Sequence, residues 1–345
     1  MPYSSSQASA AHAVPLTAPR QAGPDLSGPI DLVRAELDAV NRCIAHHLES
    51  DVALIRQLGA YIINSGGKRL RPMTLLLSSN AFAGDGATAT KLAAVVEFIH
   101  TATLLHDDVV DRSELRRGQS SANHVWGNEA SVLVGDFLYS RSFEMMVEVG
   151  DMRVMEVMAK ATNTIAEGEV MQLLNSHSAG VDESQYLETI RRKTATLFQA
   201  AAQLGPVIAG QSAEVQHDLA KYGLHLGIAF QLIDDVLDYS AKTEDIGKNI
   251  GDDLAEGKPT LPVIHSMIES GPAQRELLQA AIEAGAREKI DAVLDAIEST
   301  GSLAYTSRRA KEQARFARQA LSSIPDSPYQ RALLELADFA VDRAY

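Results

Sequence analysis

The chain has 345 residues, of which 46% are hydrophobic, so it can bury a large core in one or two domains. Lys and Arg number 31 against 45 Asp and Glu, and the net charge of −14 argues against general binding to nucleic acids or anionic membranes. A single cysteine, Cys43, excludes an intrachain disulfide and a cysteine zinc cluster, which fits the reducing cytoplasm. No apolar run approaches the roughly 18 residues of a transmembrane helix.

Residues 1–28 differ in composition from the rest of the chain. They are rich in Ser, Ala, Pro and Gly, and their only charged residues are Arg20 and Asp25. Because such a segment has little apolar surface to bury, we predict a disordered tail at 1–28, followed by a single domain at 29–345. The segment also lacks the basic start and the apolar middle of a secretory signal.

The domain is predicted to be all-α. Proline, which disrupts helix interiors, is absent between Pro72 and Pro206. Apolar residues recur at steps of three and four over 30–48 and again over 92–99, a spacing that places them on one helix face. The polar loop at 247–257 is a candidate active-site loop or an ordinary surface connection. Helix breaks are expected at 66–67, 83–86, 117–118, 178–180 and 247–257, where glycine clusters with other turn residues.

The acidic motif D-D-x-x-D occurs twice in apolar surroundings. Residues four apart lie on the same face of a helix, so the first and last aspartates of each copy should lie close together. Magnesium, a hard ion that prefers oxygen ligands and commonly bridges to substrate phosphates, would offset their repulsion. A solvated acidic face is the alternative, which the duplication makes less favourable. The six aspartates are Asp107, Asp108, Asp111, Asp234, Asp235 and Asp238.

Basic clusters accompany the acidic motifs. Glycine lets a backbone approach an anion closely, and lysine and arginine supply charge and several hydrogen-bond donors. In an acidic chain such clusters are typical of diphosphate sites, although a solvated basic face is the alternative for any one of them. The clusters are G-G-K-R-L-R-P at 66–72, R-R-G at 116–118 and R-R-K-T at 191–194, with Lys248 and Lys258 in or beside the polar loop.

Two E-x-x-H pairs, Glu97 with His100 and Glu214 with His217, raise a different metal chemistry. Pairs of this kind contribute to di-iron sites in ferritin-like bundles. The motif is short, however, and Glu214 follows a segment that indicates a helix start, where an acidic residue is favoured without any metal. A di-iron site is therefore the weaker hypothesis.

Taken together, the motifs resemble those of the trans-polyprenyl diphosphate synthases, in the same order and over about 30–345. The resemblance implies an isoprenoid-synthase-type bundle of long helices around a deep central cavity, and a homodimer. The shared segments are G-G-K-R-L-R-P at 66–72, F-I-H at 98–100, L-L-H-D-D-V-V-D at 104–111, R-R-G at 116–118, G-D-F-L at 135–138, Lys193-Thr194, F-Q-L-I-D-D-V-L-D at 230–238 and G-K-N-I-G-D-D-L-A-E-G-K-P-T-L-P at 247–262.

The resemblance also implies a magnesium-dependent head-to-tail condensation of isopentenyl diphosphate with an allylic diphosphate, of which farnesyl diphosphate is the expected one. Commonly three magnesium ions, or manganese in their place, bind between the two motifs, with Asp107, Asp111 and Asp234 as ligands. The six aspartates and Lys193 form the implied catalytic set. Isopentenyl diphosphate would be held by Lys68, Arg71, His100 and Arg117, and the allylic diphosphate by Arg116, Lys193, Thr194, Gln231, Lys248 and Lys258.

The same resemblance bears on the product. In short-chain relatives a bulky aromatic residue closes the cavity near the positions of Ala102 and Thr103, which are small here. This implies an all-trans product of octaprenyl length, a ubiquinone side-chain precursor that would pass to a membrane enzyme. Met146 and Met158, with Met145 and Met155, are candidates for a deeper limit or else plain core residues.

Three other functions stay open at this point: a shorter-chain synthase, a terpene cyclase and a non-catalytic subunit of a heteromeric synthase. A cyclase needs no second diphosphate site, so Lys68, Arg71 and Arg117 argue against it. A non-catalytic subunit could lose its metal ligands, and the presence of all six aspartates argues against that function.

Overall fold

The protein is described from a computed structural model that covers residues 25–64, 67–116, 118–240 and 250–342. Within these ranges it is all-α, as predicted, and several helices exceed 20 residues. The α-helices are α1 (Ser27–Leu32), α2 (Arg34–His47), α3 (Ala53–Asn64), α4 (Leu70–Asn80), α5 (Gly86–Val110), α6 (Ala122–Trp126), α7 (Asn128–Val149), α8 (Met152–Asn175), α9 (Glu183–Ile190), α10 (Thr196–Ile208), α11 (Ala213–Ser240), α12 (Asp252–Ala255), α13 (Leu261–Glu269), α14 (Pro272–Ala284), α15 (Ile290–Ser299), α16 (Ser302–Ala320) and α17 (Pro328–Val341).

The core is built around α5, which is apolar on most of its surface and whose buried residues extend from Ala89 to Asp108. Helices α2, α4, α7 and α10 pack against it, and α10 in turn packs against α4, α8 and α11. Two further apolar clusters lie beyond the main core, one between α11, α13 and α16 and one among α13, α14 and α15. No helix among the described residues is long and apolar enough to cross a membrane.

Two of the predicted helix breaks are followed by helices whose N-termini are capped by an aspartate side chain. The Asp85 side chain accepts a hydrogen bond from the Thr88 amide at 3.0 Å and starts α5 after the break at 83–86. Asp182 and Gln185 form a reciprocal capping box that starts α9 after the break at 178–180. The breaks at 66–67, 117–118 and 247–257 are described only in part, because residues 65–66, 117 and 241–249 lie outside the described ranges.

Helix α1 begins at Ser27 and Leu26 is already buried, slightly before the predicted domain start at residue 29, which stays a prediction. Pro29 lies in the first turn of α1, where its missing amide costs no helical hydrogen bond. Residues 1–24 of the predicted tail lie outside the described ranges.

A short hairpin follows α5 and was not anticipated from the sequence. Its strands are β1 (Leu115–Arg116) and β2 (Gln119–Ser120), and they pair antiparallel. The Tyr61 hydroxyl donates to the Ser120 carbonyl at 2.5 Å, which ties the hairpin to α3. This hairpin holds Arg116 beside the end of α5.

Helices α10 and α11 cross closely because glycines of α11 lie at the contact. A Cβ on Gly223 would contact the Phe198 carbonyl oxygen and lie 2.8 Å from the Ala202 Cβ. A Cβ on Gly227 would lie 2.5 Å from the Ala195 Cα. Distances this short are not tolerated by a packed backbone, so these positions require glycine.

We therefore expect Gly223→Ala to lower the free energy of unfolding by about 1–3 kcal/mol, the usual cost of overpacking. Urea unfolding followed by circular dichroism measures the change. The matched control is Gly86→Ala, because nothing lies within 4 Å of a Cβ built on Gly86. Equal stability of the Gly223→Ala variant and the wild type would contradict this account of the helix crossing.

Candidate active site

Both aspartate motifs lie beside one cavity of about 1060 Å³. The first motif occupies the last turn of α5 and the second the C-terminal part of α11, so two helix ends bring the motifs together. Residues lining the cavity include Asp111, Asp234, Asp235 and Asp238, together with the predicted cations Lys68, Arg71, His100, Arg116, Lys193 and Lys258 and the polar residues Thr194 and Gln231. Arg117 and Lys248 lie outside the described residues.

The middle aspartate of each motif is buried and hydrogen-bonded to protein. Asp108 accepts from the Arg116 guanidinium, with 2.9 Å from Nε to Oδ1, and burial raises its pKa in spite of that arginine. Asp235 accepts from the Tyr186 hydroxyl and from Gln231 Nε2 at 2.8 Å. Burial and then the Asp253 carboxylate raise the pKa of Asp235 well above its ordinary value. These two aspartates therefore hold neighbouring elements together.

The outer aspartates of the first motif form ion pairs with lysines. Lys193 Nζ lies 3.0 Å from Asp107 Oδ2, and Lys258 Nζ lies 2.7 Å from Asp111 Oδ2. Burial lowers the pKa of each lysine, but the carboxylates around it outweigh burial, so both pKa values lie above their ordinary value. Both lysines therefore stay charged and neutralise the motif.

Two glutamates that the sequence analysis missed complete these ion pairs. Glu169 on α8 lies 2.5 Å from Lys193 Nζ, and Glu256 lies 2.5 Å from Lys258 Nζ. Burial and then the Asp107 carboxylate raise the pKa of Glu169 to about 7. Glu256 lies in the shared segment at 247–262, two residues before Lys258, but was given no role there, whereas only its proximity in the fold connects Glu169 with Asp107.

The donor set fits a divalent ion that is shared with a phosphate ligand. The carboxylates are hard oxygen donors on the cavity wall, of the type that magnesium prefers. Within the described ranges, no three acidic, histidine or cysteine side chains converge on a single point. An ion held there would therefore complete its coordination with substrate oxygens and water, which is the usual arrangement for magnesium with phosphates.

A π-helical turn at Arg191–Ala195 presents Lys193 and Thr194 to the cavity. Such turns are rare and occur frequently at functional sites. Helix α8 packs tightly on this turn at Gly168, where a Cβ would lie 2.6 Å from the Lys193 amide nitrogen. On the other side, Thr194 Oγ1 donates to Gln231 Oε1 at 3.1 Å. The turn is thus fixed between α8 and α11.

A second group of cations lies at the start of α4. Arg71 Nη1 lies 3.2 Å from His100 Nε2, and the Arg71 guanidinium stacks over the Phe198 ring at 4.3 Å. The Lys68 ammonium lies 5.0 Å from the Phe339 ring centroid. The aromatic rings orient the two cations, and Lys68, Arg71 and His100 all line the cavity, while their role in substrate binding stays a prediction.

The di-iron hypothesis is not supported by these contacts. The Glu97 carboxylate forms an ion pair with the Arg69 guanidinium, and His100 contacts Arg71. Glu214 lies in the first turn of α11, as its sequence context predicted.

Most of the candidate chain-length residues lie in the main apolar core. Ala102, Met146 and Met158 are buried in the main apolar cluster, as is Met145, and Met155 packs against it. The half-buried Thr103 donates from Oγ1 to the His100 carbonyl at 2.8 Å. None of the four predicted chain-length residues lines the described cavity, so their role stays a prediction.

Comparisons with known proteins agree with this geometry. Residues 52–299 match the family model of polyprenyl synthetase. The chain is 50% identical to the octaprenyl diphosphate synthase of Escherichia coli strain K12, over 91% of this chain and 97% of that enzyme. It is 41% identical to an all-trans-nonaprenyl-diphosphate synthase (geranyl-diphosphate specific) of Rhodobacter capsulatus, over 90% of this chain and 96% of the relative.

The fold was compared with solved structures as well. The crystal structure of a polyprenyl synthase from Caulobacter crescentus, complexed with calcium and isoprenyl diphosphate, matches with a TM-score of 0.90. The two sequences are 46% identical, and the match covers 94% of this chain and 99% of the other.

Proposed function

The chain belongs to the polyprenyl synthetase family, and on this premise we propose that it is a long-chain trans-polyprenyl diphosphate synthase. It lengthens an allylic diphosphate, of which farnesyl diphosphate is the preferred one, with isopentenyl diphosphate. The all-trans product has octaprenyl length and serves a membrane enzyme as a quinone side-chain precursor. The observation that carries the proposal is one cavity on which two aspartate motifs meet two separate groups of cations.

The allylic diphosphate lies between the two aspartate motifs in this proposal. Magnesium, commonly three ions, with manganese as a substitute, would neutralise the charge that develops on the leaving diphosphate. Asp107, Asp111 and Asp234 hold the metal. Lys193 and Lys258, released from their carboxylates, donate to diphosphate oxygens, and a charge-assisted contact of this kind is stronger than a neutral one.

Further polar groups complete this first site. Thr194 and Gln231 already share a hydrogen bond on the cavity wall, so both are oriented before a ligand enters. Arg116 keeps the buried Asp108 neutralised and lines the same cavity. Lys248 is assigned to this site from the sequence alone.

The second group, Lys68, Arg71 and His100, holds isopentenyl diphosphate, with Arg117 assigned from the sequence. The carbon–oxygen bond of the allylic substrate breaks, the double bond of isopentenyl diphosphate attacks the resulting cation, and a new carbon–carbon bond forms. The proton then lost from the isopentenyl unit passes to the released diphosphate. A terpene cyclase has no use for this second cation group.

The decisive experiment is incubation of the purified chain with magnesium, farnesyl diphosphate and labelled isopentenyl diphosphate, with products resolved by length. Activity should disappear with a chelator and return with added magnesium.

Asp107→Ala and Asp234→Ala should each lower turnover at least about 100-fold, the scale for losing one preorganised contact to a developing charge. The control is Asp326→Ala, whose exposed carboxylate pairs only with the surface residue Arg331 in the structure. Full activity in metal-free buffer would refute the proposal. A parallel reaction with geranyl diphosphate in place of farnesyl diphosphate shows which allylic substrate is preferred.

The growing chain is proposed to run from the metals down α5 past Ala102. A tyrosine there should stop growth at about fifteen or twenty carbons, because one helical turn of 5.4 Å is comparable with one isoprene unit. We expect Ala102→Tyr to retain the first condensation, since the aspartates are unchanged, and chromatography of the products measures their length. Thr103→Ser, which keeps the hydroxyl, should give the wild-type length. Wild-type product from Ala102→Tyr would show that the chain takes another path.

We also propose that the chain forms a homodimer through α7 and α8. Val132, Leu133, Tyr139 and Val147 are exposed and share one face of α7. On α8, exposed apolar residues recur at Val170, Leu173 and Leu174. Exposed apolar faces of this extent are typical of interaction surfaces.

Accordingly, Leu133→Asp should convert the dimer into a monomer, because burying a carboxylate in an apolar interface is unfavourable. Sedimentation velocity measures the mass in solution. Ile268→Asp is the control, since Ile268 is similarly exposed but lies on α13. A monomeric wild type would contradict the proposed dimer.

The proposed compartment is the cytoplasm. Cys43 is a free thiol, and a free thiol is stable under reducing conditions.

A further inference from the structure

One buried carboxylate beside the second cation group has no role in the chemistry proposed above. Glu97 lies on α5, three residues before His100, and only 7% of its side chain is exposed. A buried charge requires a partner, and the partner is the Arg69 guanidinium, 28 residues earlier in the chain. Glu97 and Arg69 both line the large cavity, so the ion pair forms part of its wall.

Arg69 adopts an unusual backbone conformation. It precedes the first residue of α4 with φ 50° and ψ 34°, in the left-handed region that favours glycine. A non-glycine residue is held there only when its surroundings impose the conformation. The buried ion pair with Glu97 can impose this backbone conformation, because it fixes the charged end of the Arg69 side chain.

The conformation of Arg69 determines where its neighbours lie. Lys68 precedes it and reaches the Phe339 ring, whereas Arg71 follows it in the first turn of α4 and reaches His100 and the Phe198 ring. A left-handed residue between them reverses the chain direction locally, so both cations can line the same cavity. The Glu97 carboxylate also reduces the repulsion among three cations within four residues.

We propose that Glu97 is a positioning residue for isopentenyl diphosphate. It acts through Arg69, whose left-handed backbone sets the positions of Lys68 and Arg71 relative to His100. The inference rests on the proposed function, since it deepens the assignment of this cation group. Because Glu97 and His100 lie on one helix, the pair also fixes the loop before α4 to the helix that carries the first aspartate motif.

The test separates the two substrates. Glu97→Gln should raise the KM for isopentenyl diphosphate about tenfold or more, because small displacements of binding groups have effects of this size. The KM for farnesyl diphosphate should change less than about twofold, since the aspartates and Lys193 are untouched. Calorimetric titration with isopentenyl diphosphate in the absence of metal and allylic substrate should show the same loss of affinity. If Glu97→Gln does not fold, Glu97→Asp, which keeps the charge but withdraws it by one methylene, replaces it in the same measurements.

Two further comparisons exclude a merely structural role. The double variant Glu97→Gln/Arg69→Gln should bind isopentenyl diphosphate no more weakly than Arg69→Gln alone, because Glu97 acts through Arg69. Glu183→Gln removes another ion pair between helices, with Arg309, and should change neither KM. Additive effects in the double variant, or equal changes in both KM values, would overturn the inference while wild-type condensation still supports the proposed function. A wild type without condensation would overturn both.

Discussion

The first aspartate motif depends on the compensation of its carboxylates by lysine and arginine. Carboxylates in a partly buried site repel one another and lose hydration, and neighbouring cations offset both costs. The motif has three such cations: Arg116 lies eight residues after Asp108, whereas Lys193 and Lys258 come from segments that are distant in the sequence. The pairs therefore also link the π-helical turn, the β-hairpin and the segment after α12 to the end of α5.

This compensation has a consequence for ligand binding. In the proposed function, a divalent ion on Asp107 and Asp111 would replace Lys193 and Lys258 as the counter-charge of these carboxylates, and the two ammonium groups would be released to bind a diphosphate. The buried carboxylates would change partners, and no further carboxylate would have to be buried. This limits the desolvation cost that buried ion pairs usually carry. Arg116 differs from the two lysines, because its partner Asp108 is buried and is only 3% exposed.

The sequence predicted the parts of the site that follow from local spacing. Carboxylates four residues apart on a helix share a face, and the structure places Asp234 and Asp238 on the cavity wall together. The all-α fold likewise followed from apolar periodicity and from the long segment without proline. The apolar periodicity begins only at Ile30 although α1 begins at Ser27, because Leu26 is a single apolar residue in a polar segment and carries no periodic signal.

Contacts between distant segments could not be predicted in the same way. Glu169 contacts Lys193 because Gly168 lets α8 approach the π-helical turn closely. A single glycine inside a helical pattern does not predict such a close approach. Tyr186 meets Asp235 across 49 residues. The short hairpin also escaped prediction, since two strands of two residues are too brief to show an alternating pattern.

Helix α5 sets the spacing between the two proposed substrate sites. With a rise of 1.5 Å per residue, His100 and Asp107 are separated by about 10 Å along the axis. In the proposed function, two diphosphates held at these levels would stay apart while the reacting carbons of the two substrates meet between them. A buried helix cannot adjust this distance, because α2, α4, α7 and α10 pack against it. The cations around this helix are held by glutamates as well: Glu97 forms an ion pair with Arg69 at the start of α4, and Glu169 forms one with Lys193 of the π-helical turn.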